Sequence, residues 1–240
     1  MTLQQEVPPK LPYEDASAEA MVLARPSADR IGLAATFDGG VYRVVFKRAL
    51  DLCLVVMSLP FVVLVIGLLA LVVALDGGRP FYFQSRIGRS GRVYRMWKLR
   101  SMVVDADSRL EAYLAANPAA RAEWDLTQKL KADLRITHFG RILRKSSLDE
   151  LPQLWNVLKG DMSLVGPRPM MVSQKALYPG TAYYRLRPGI TGSWQVSDRN
   201  ESSFAARAKF DLDYDRALSL RTDLKILMAT VRVVLRATGH

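Results

Sequence analysis

The hydrophobic and polar positions divide the chain into a polar leader, one long apolar run and a mixed remainder. The run covers residues 52–75, LCLVVMSLPFVVLVIGLLALVVAL, and carries no charge between Asp51 and Asp76. An uninterrupted helix of that length would measure about 36 Å, enough to cover the hydrocarbon core of a bilayer. The run is too long, and too far from residue 1, to be a signal peptide. The pattern therefore predicts a membrane helix, which we place at residues 41–75.

Two paths through the membrane are compatible with this run. Basic residues flank it on both sides, at Arg43, Lys47 and Arg48 before it and at Arg79, Arg86, Arg89, Arg92 and Arg95 after it. A spanning helix usually keeps its basic flank on the cytoplasmic side. A helix that enters, breaks at Ser58 and Pro60 and returns would keep both flanks there, because proline removes a backbone donor and kinks a helix. An ordinary single span with an incidental proline is the alternative, and these residues leave both open.

The remaining pattern predicts an α/β fold, mostly helical with a small β-hairpin sheet. Residues 1–40 are rich in proline and small polar residues, which is typical of a flexible N-terminal leader. Residues 81–102, FYFQSRIGRSGRVYRMWKLRSM, predict two strands joined at Gly88–Gly91. Helices are expected at about 105–116, at about 118–131 and through LPQLWNVLKG. Residues 76–240 would form one domain.

The end of the chain carries an amphipathic pattern. Between Leu220 and Arg236, four cations share one side of a helix beside an apolar face; the cations are Arg221, Lys225, Arg232 and Arg236, and the apolar residues are Leu224, Leu227, Met228, Val231 and Leu235. Such a helix suits the interface of an anionic membrane, where basic side chains reach the headgroups. A packing helix is the alternative.

Composition narrows the partners and the chemistry. The chain has 34 lysines and arginines against 23 aspartates and glutamates, a net charge of +11. This charge predicts an anionic partner, which can be nucleic acid, an acidic membrane surface or a phosphorylated substrate. With one cysteine and two histidines, the chain has no disulfide framework or thiolate cluster, and a histidine-based metal site is nearly excluded. Any metal would need oxygen ligands, as magnesium does.

The segment SSLDELPQLWN, residues 146–156, places two adjacent acids in this basic chain. Ser147 and Glu150 match a capping box, which would give the pair a structural role. In that case Pro152 would be the fifth helical residue, where its ring clashes with a carbonyl. The functional interpretation is that Asp149 attacks phosphorus, helped by nearby cations.

Candidate cations lie in three other segments. Arg144 precedes the acid pair, Arg168 is fixed between two prolines in GPRP, and Lys98 and Arg100 lie on one face of the second predicted strand. Arginine is a planar fork that matches phosphate oxygens. The motifs G-x-x-x-x-G-K-[ST], G-x-G-x-x-G, G-x-S-x-G and H-E-x-x-H are absent, which argues against the common ATPases, Rossmann enzymes, serine hydrolases and zinc proteases.

Four motifs in order, KRALDLCLVVMSLPF, RMWKLRSM, RKSSLDELPQLWNVLKGDMSLVGPRP and LRPGITGSWQV, resemble those of the bacterial sugar transferases. These are the monotopic polyprenyl-phosphate phosphoglycosyl transferases of exopolysaccharide and O-antigen assembly. The resemblance covers about residues 41–240 and is to the compact, exopolysaccharide-initiating type.

The resemblance implies a reaction and a set of site residues. Asp149 would be the catalytic nucleophile and Glu150 its partner, moving hexose 1-phosphate from a UDP-hexose to undecaprenyl phosphate with release of UMP. Magnesium, Mg2+, would be bound with the help of Asp149. Phosphate contacts are expected from Lys98, Arg100, Arg144 and Arg168, and nucleotide or sugar contacts from Gly189, Thr191 and Gln195. The stretch VSDRNESSF, 196–204, favours galactose or glucose.

The resemblance also implies a location. The helix would be re-entrant, broken at Ser58 and Pro60, and the 76–240 domain would be catalytic and lie on the cytoplasmic face of the bacterial inner membrane. Membrane lipids and later glycosyltransferases of the pathway would be partners, a homodimer is compatible with this arrangement, and nucleic acid is not expected. The alternatives are a catalytically silent scaffold of the same fold and a membrane-tethered nucleic-acid-binding protein that uses the basic hairpin at 79–100.

Overall fold

The computed structural model describes residues 40–127, 130, 133–197 and 204–235, so the predicted leader lies almost wholly outside the described residues. The helices are α1 (Lys47–Ala74), α2 (Ala106–Ala116), α3 (Pro118–Thr127), α4 (His138–Lys145), α5 (Gln153–Lys159), α6 (Ala182–Arg185), α7 (Ser193–Val196), α8 (Arg207–Arg216) and α9 (Leu220–Leu235). The strands are β1 (Phe81–Ile87), β2 (Val93–Leu99), β3 (Ser163–Val165), β4 (Met170–Met171) and β5 (Gly189–Thr191). The expected fold, mostly helical with a small sheet, is confirmed.

Helix α1 is continuous, which corrects the predicted break at Ser58 and Pro60. Pro60 lies inside the helix without interrupting it. The Ser58 hydroxyl donates to the carbonyl of Val55 at 2.9 Å, whereas the carbonyl that proline deprives of its donor is that of Val56, four residues before it. With a mean hydropathy of 2.9, the helical stretch Tyr42–Ala74 is the one in the described residues long and apolar enough to cross a membrane.

The N-terminal end of α1 is tied to the domain by charged groups. The Lys47 ammonium lies 2.9 Å from the carboxylate of Asp223 in α9. Arg48 donates to the carbonyls of Val157 and Leu158 at the end of α5. Carbonyls at a helix C-terminus lack intrahelical donors, so a guanidinium there satisfies them and favours the helix dipole.

The C-terminal end of α1 contacts the same domain. Val73 packs in a buried cluster with Leu99 of β2 and Leu143 of α4. Arg100 donates to the carbonyl of Val73 and pairs with Asp76 just beyond the helix. The helix has 28 residues, and both of its ends contact one domain.

The predicted hairpin is present. Strands β1 and β2 are antiparallel, with Phe81 opposite Leu99 and Ile87 opposite Val93. β1 also pairs with β4, which gives the sheet order β2-β1-β4, and β3 pairs with β5 in parallel. Ser90 and Gly91 adopt positive φ angles of 59° and 78°, which turn the chain between the strands.

Helix α9 faces the domain with Asp223 and Ile226, which are buried. Of the apolar residues expected at a membrane interface, Leu224, Met228 and Val231 are 45%, 62% and 52% exposed, whereas Leu227 packs against the buried cluster around Ile226. This exposure is what an interfacial helix requires, since a packing helix would bury that face. Of the four expected cations, Arg236 lies outside the described residues.

Replacing Leu143 with alanine tests the docking of α1. Leu143 is fully buried between α1 and β2, so we expect Leu143→Ala to lower the free energy of unfolding by about 2–5 kcal/mol. The matched control is Ile142→Ala, because Ile142 is 61% exposed beside it. Thermal unfolding in detergent measures both; equal shifts for the two variants would contradict this packing.

Candidate active site

The acid pair lies in a tight turn before α5. Leu148–Glu150 form a single 3-10 turn, and Ser147, at a φ of 57°, makes no side-chain capping bond. The capping-box interpretation is therefore wrong. Pro152 immediately precedes Gln153, the first residue of α5, where its missing N–H leaves no hydrogen bond unmade. The turn buries Asp149, whose exposed fraction is 6%.

Lys98 bridges the two acids. Its ammonium lies 2.7 Å from the carboxylate of Glu150 and 3.6 Å from that of Asp149. Lys98 is close to the end of β2, on the face that also carries the buried residues Tyr94 and Met96. The predicted cationic face of β2 is therefore mostly a core face, and Lys98 is the member that reaches the acid pair.

Asn156 fixes α5 against the strand that carries Lys98. Its buried amide accepts from the backbone N–H of Trp97 at 3.0 Å and donates to the carbonyl of Arg95 at 2.7 Å. These bonds also satisfy part of the free edge of β2. Asn156 thus joins α5, which follows the acid pair, to the strand that carries Lys98.

Arg168 is presented by a loop that is held at both ends. Before it, the N–H of Gly166 donates to the carbonyl of Thr191 at 2.9 Å, and after it the N–H of Met170 donates to the Tyr183 hydroxyl at 3.1 Å. The Arg168 guanidinium is exposed and lies over the ring of Trp194, 5.6 Å from its centroid. These bonds are consistent with the expected loop that presents one guanidinium, and the phosphate contact of Arg168 stays a prediction.

Two further arginines, Arg86 and Arg207, join this region and were missed by the sequence-based prediction of the site. Arg86 of β1 lies against the loop, donating to the carbonyl of Pro169 at 3.5 Å. Arg207 begins α8 and lies over Trp194, 4.2 Å from the ring centroid. Hairpin register could have found Arg86, because it pairs with Tyr94 and so shares the face of Lys98. Arg207 has no local sequence signal.

The two remaining residues predicted to contact phosphate, Arg144 and Arg100, have different surroundings. Arg144 of α4 is oriented by the Ser101 hydroxyl, which accepts from its Nε at 2.8 Å, and it is close enough to lower the pKa of Asp149. Arg100 is used differently: its nitrogens bond the carboxylate of Asp76 and the carbonyls of Val73, Arg79 and Met102. Arg100 therefore fastens the end of α1 and has no nitrogen left for a phosphate, which corrects the prediction.

Three residues, Gly189, Thr191 and Gln195, were expected to contact the nucleotide or the sugar, and the first two have packing roles. A side chain at Gly189 would lie 2.1 Å from the backbone of Gly166, so glycine is required for the close approach of β3 and β5. The Thr191 hydroxyl is paired with that of Thr230 in α9 at 2.7 Å. Gln195 is different: it is 8% exposed, and neither atom of its amide has a partner in the described part of the chain.

The two acids have opposite pKa shifts. Burial raises the pKa of Asp149, and Glu150 adds to this, while Lys98 and Arg144 oppose it. Burial also acts to raise the pKa of Glu150, but Lys98 and Arg168 outweigh it, so that pKa lies below its ordinary value. Asp149 is therefore the more basic carboxylate of the two.

The acid pair is surrounded by more basic side chains than its two carboxylates can neutralise. In the described part of the chain, Arg86, Arg144, Arg168 and Arg207 form no ion pair with a carboxylate. Burial and the nearby Arg168 lower the pKa of both Arg86 and Arg207. Crowded cations without carboxylate partners favour an anionic ligand such as a diphosphate.

The acid pair also suits a magnesium ion bound together with a substrate. No group of three or more metal-binding side chains occurs among the described residues. Magnesium is usually held by one or two carboxylates together with substrate phosphates and waters. The oxygens of Asp149 and Glu150 fit that pattern, so the expected role of Asp149 in metal binding is chemically consistent with the site.

A long apolar helix docked on a basic domain, with an acid pair set among arginines, is the arrangement of a membrane-associated enzyme that acts on anionic substrates. More narrowly, the chain belongs to the bacterial sugar transferase family, whose model matches residues 42–237.

Three relatives illustrate this membership. The chain is 46% identical over 195 residues to the UDP-galactose-lipid carrier transferase of Erwinia amylovora, covering 80% of this chain and 41% of that protein. It is 49% identical over 166 residues to the undecaprenyl-phosphate galactose phosphotransferase of Salmonella typhimurium, covering 68% of this chain and 35% of that protein. It is 43% identical over 199 residues to the exopolysaccharide production protein ExoY of Sinorhizobium fredii, covering 80% and 87%. The chain thus spans less than half of the first two proteins and most of the third.

The buried acid Asp211 provides a test of this region by pH. Asp211 lines a small cavity with Arg168 and Arg207 and accepts from the Tyr178 hydroxyl at 2.7 Å. Burial raises the pKa of Asp211 to about 6. The folded state therefore binds this proton more tightly than the unfolded state, and its stabilising contribution is lost as the pH rises from about 4 through about 6.

We expect wild type to lose about 2 kcal/mol more unfolding free energy than Asp211→Asn between about pH 4.5 and about pH 7.5, because Asp211 loses its proton in this range in the folded state. Asparagine keeps an acceptor for Tyr178 but cannot ionise. Denaturant unfolding at the two pH values measures the difference, with Asp213→Asn as the control, since Asp213 is exposed on the same helix. Identical pH dependence in wild type and Asp211→Asn would refute the shift.

Proposed function

We propose that this protein transfers hexose 1-phosphate from a UDP-hexose to undecaprenyl phosphate and releases UMP, the first membrane step of exopolysaccharide synthesis. The observation that carries the proposal is the buried Asp149, held beside Lys98 in a region of arginines that lack carboxylate partners. The names of the Erwinia and Salmonella relatives specify galactose and a lipid carrier or undecaprenyl phosphate. Galactose is therefore the first donor to test, with glucose beside it.

In the first step, a carboxylate oxygen of Asp149 attacks the β-phosphorus of the UDP-sugar. The bond between that phosphorus and the bridging oxygen breaks, UMP leaves with the oxygen, and the sugar phosphate remains on Asp149 as an acyl phosphate. The raised pKa of Asp149 makes it the better nucleophile, while Glu150 stays ionised and holds Lys98 in place. Arg168 and Arg144 stabilise the charge that develops on the phosphoryl oxygens.

In the second step, a phosphate oxygen of undecaprenyl phosphate attacks the same phosphorus. The bond to Asp149 breaks, the carboxylate is regenerated, and the product is a polyprenyl-diphosphate sugar. Bound magnesium would neutralise diphosphate charge in this site. The Lys98 ammonium, 3.6 Å from the carboxylate of Asp149, stabilises the negative charge that returns to this carboxylate.

The location that we propose is the cytoplasmic face of the bacterial inner membrane, with both ends of α1 on that face. Both ends of α1 contact one domain, which supports this arrangement over a simple span. The outward side of α1 and the open face of α9 would then meet the same leaflet.

Replacing the nucleophile tests the reaction. We expect Asp149→Asn to lower the rate of UMP release by at least ~10³-fold, because an amide does not attack phosphorus. Purified protein in detergent is given magnesium, undecaprenyl phosphate and either UDP-galactose or UDP-glucose. Asp213→Asn, at an exposed position outside the site, is the control and should keep its rate.

The covalent step has its own readout. Donor carrying a label on the β-phosphate, supplied without acceptor, should label wild type but not Asp149→Asn, and undecaprenyl phosphate should remove the label. Turnover retained in Asp149→Asn would exclude this nucleophile. No UMP release by wild type across a panel of UDP-sugars would favour the catalytically silent scaffold.

Chelation tests the metal. We expect EDTA to abolish UMP release and added magnesium to restore it, because magnesium is usually held by one or two carboxylates together with the phosphates of a substrate. Equal rates with and without the chelator would show that the arginines and Lys98 suffice.

A further inference from the structure

A groove of about 300 Å³ runs between α1, the β-hairpin and the start of α5. All of its lining residues are apolar. They are Leu59, Val62, Val63 and Ile66 from α1, Phe81 and Trp97 from the hairpin, and Leu151, Pro152, Leu154, Trp155 and Leu158 from the segment that follows the acid pair. Apart from the indole N–H groups of its two tryptophans, the lining offers no side-chain hydrogen-bonding group, which suits neither a sugar nor a nucleotide, because most of their hydroxyl and amide groups would be left without partners.

The groove begins where the acid pair ends. Leu151 and Pro152, which line it, follow Glu150 directly in the chain, while Trp97 lines it from the face of β2 opposite to Lys98. A phosphate held at Asp149 and Lys98 therefore has an apolar channel beside it. A ligand that suits both regions has a phosphate head and a hydrocarbon chain.

The far side of the groove opens toward the lipid-facing surface. Val63 and Trp155 at its rim are 61% and 57% exposed, and Leu64 and Leu68 beside them on α1 are 62% and 57% exposed. Phe81 and Trp97 meet edge to face with their centroids 6.2 Å apart, and Phe81 remains 39% exposed. Aromatic rings at such an opening are typical of a membrane interface. A hydrocarbon chain can thus enter from the bilayer without crossing water.

We propose that this groove binds the first isoprene units of the acceptor lipid and so orients its phosphate toward Asp149. The inference rests on the proposed function and adds to it a chain-binding site formed jointly by α1 and α5. Burial of each CH2 group contributes about 0.8 kcal/mol, so a few buried isoprene carbons suffice to select a polyprenyl phosphate over a short-chain phosphate.

The test fills the groove at its rim and compares the two half-reactions. Val63→Trp places an indole in the opening, and Leu64→Trp is the matched control, since Leu64 is equally exposed on the same helix and does not line the groove. We expect Val63→Trp to raise the KM for undecaprenyl phosphate about tenfold or more, as losing the burial of roughly two CH2 groups would. UMP release in a single turnover without acceptor should stay unchanged, and Leu64→Trp should match wild type in both assays.

A second variant, outside α1, controls for the possibility that Val63→Trp acts by disturbing that helix. Trp155→Ala removes one wall at an exposed position, so the fold should survive while the KM for the acceptor rises and the first half-reaction is unaffected. Equal acceptor KM values for wild type, Val63→Trp and Trp155→Ala would overturn the proposal.

Two further outcomes distinguish the acceptor chain from a bilayer phospholipid as the occupant of the groove, and a failure of this inference from a failure of the proposed function. The assays are run in phospholipid-free detergent and in phospholipid nanodiscs; an effect of Val63→Trp in both supports the acceptor chain as occupant. An effect in nanodiscs alone would assign the groove to a bilayer phospholipid and overturn the proposal. Absence of UMP release by wild type without acceptor would instead reject the proposed function, whatever the groove binds.

Discussion

The attachment of both ends of an apolar helix to one basic domain is the constraint on which the rest of the structure depends. At one end Lys47 pairs with the fully buried Asp223, and at the other Arg100 bonds the last turn of α1 and Asp76. Buried charges are costly unless paired, so a slipped helix would lose the pairing of Lys47 with the buried Asp223 at a large cost. Because both ends of α1 are attached to the domain, the exposed apolar residues in the middle of the helix remain on the surface of that domain.

This constraint also places the chemistry. α1 packs against α5 and β2 through Val55, which shares a buried cluster with Met96 and Val157. The same two elements hold the acid pair and Lys98, and Asn156 joins them. The site is consequently built on the elements that touch the membrane helix. An enzyme whose acceptor has a polar head and a long apolar chain requires this proximity.

The elements with strong local signals could be predicted from sequence, and those set by tertiary contacts could not. The uncharged run, the hairpin around Gly88–Gly91 and the proline-flanked Arg168 were all recognisable, because each depends on residues that are adjacent in the chain. The capping box was wrong because Ser147 adopts a left-handed conformation that takes its hydroxyl out of register with the turn. Propensity rules describe isolated helices, and here packing of the turn overrides them.

The site residues show the same division. Arg100 shares its strand face with Lys98 in the sequence pattern, yet one step beyond the strand it meets the end of α1 instead. Gly189 and Thr191 lie in a recognisable motif, but the motif serves the pairing of β3 with β5 and the contact with α9. Arg207 reaches Trp194 only through the packing of α8, so no spacing in the sequence could have indicated it.

The opposite pKa shifts of the two acids bear on how one carboxylate can serve both steps of the proposed reaction. A nucleophile at phosphorus is helped by basicity, which burial gives Asp149, whereas a leaving group is helped by a low pKa. In the proposed reaction Lys98 would resolve the conflict, because it would stabilise the carboxylate that returns in the second step. Glu150 pairs with Lys98, and its own lowered pKa keeps it ionised. The adjacent acids would therefore be complementary in that reaction: one would make and break the bond, and the other would hold the cation that assists both steps.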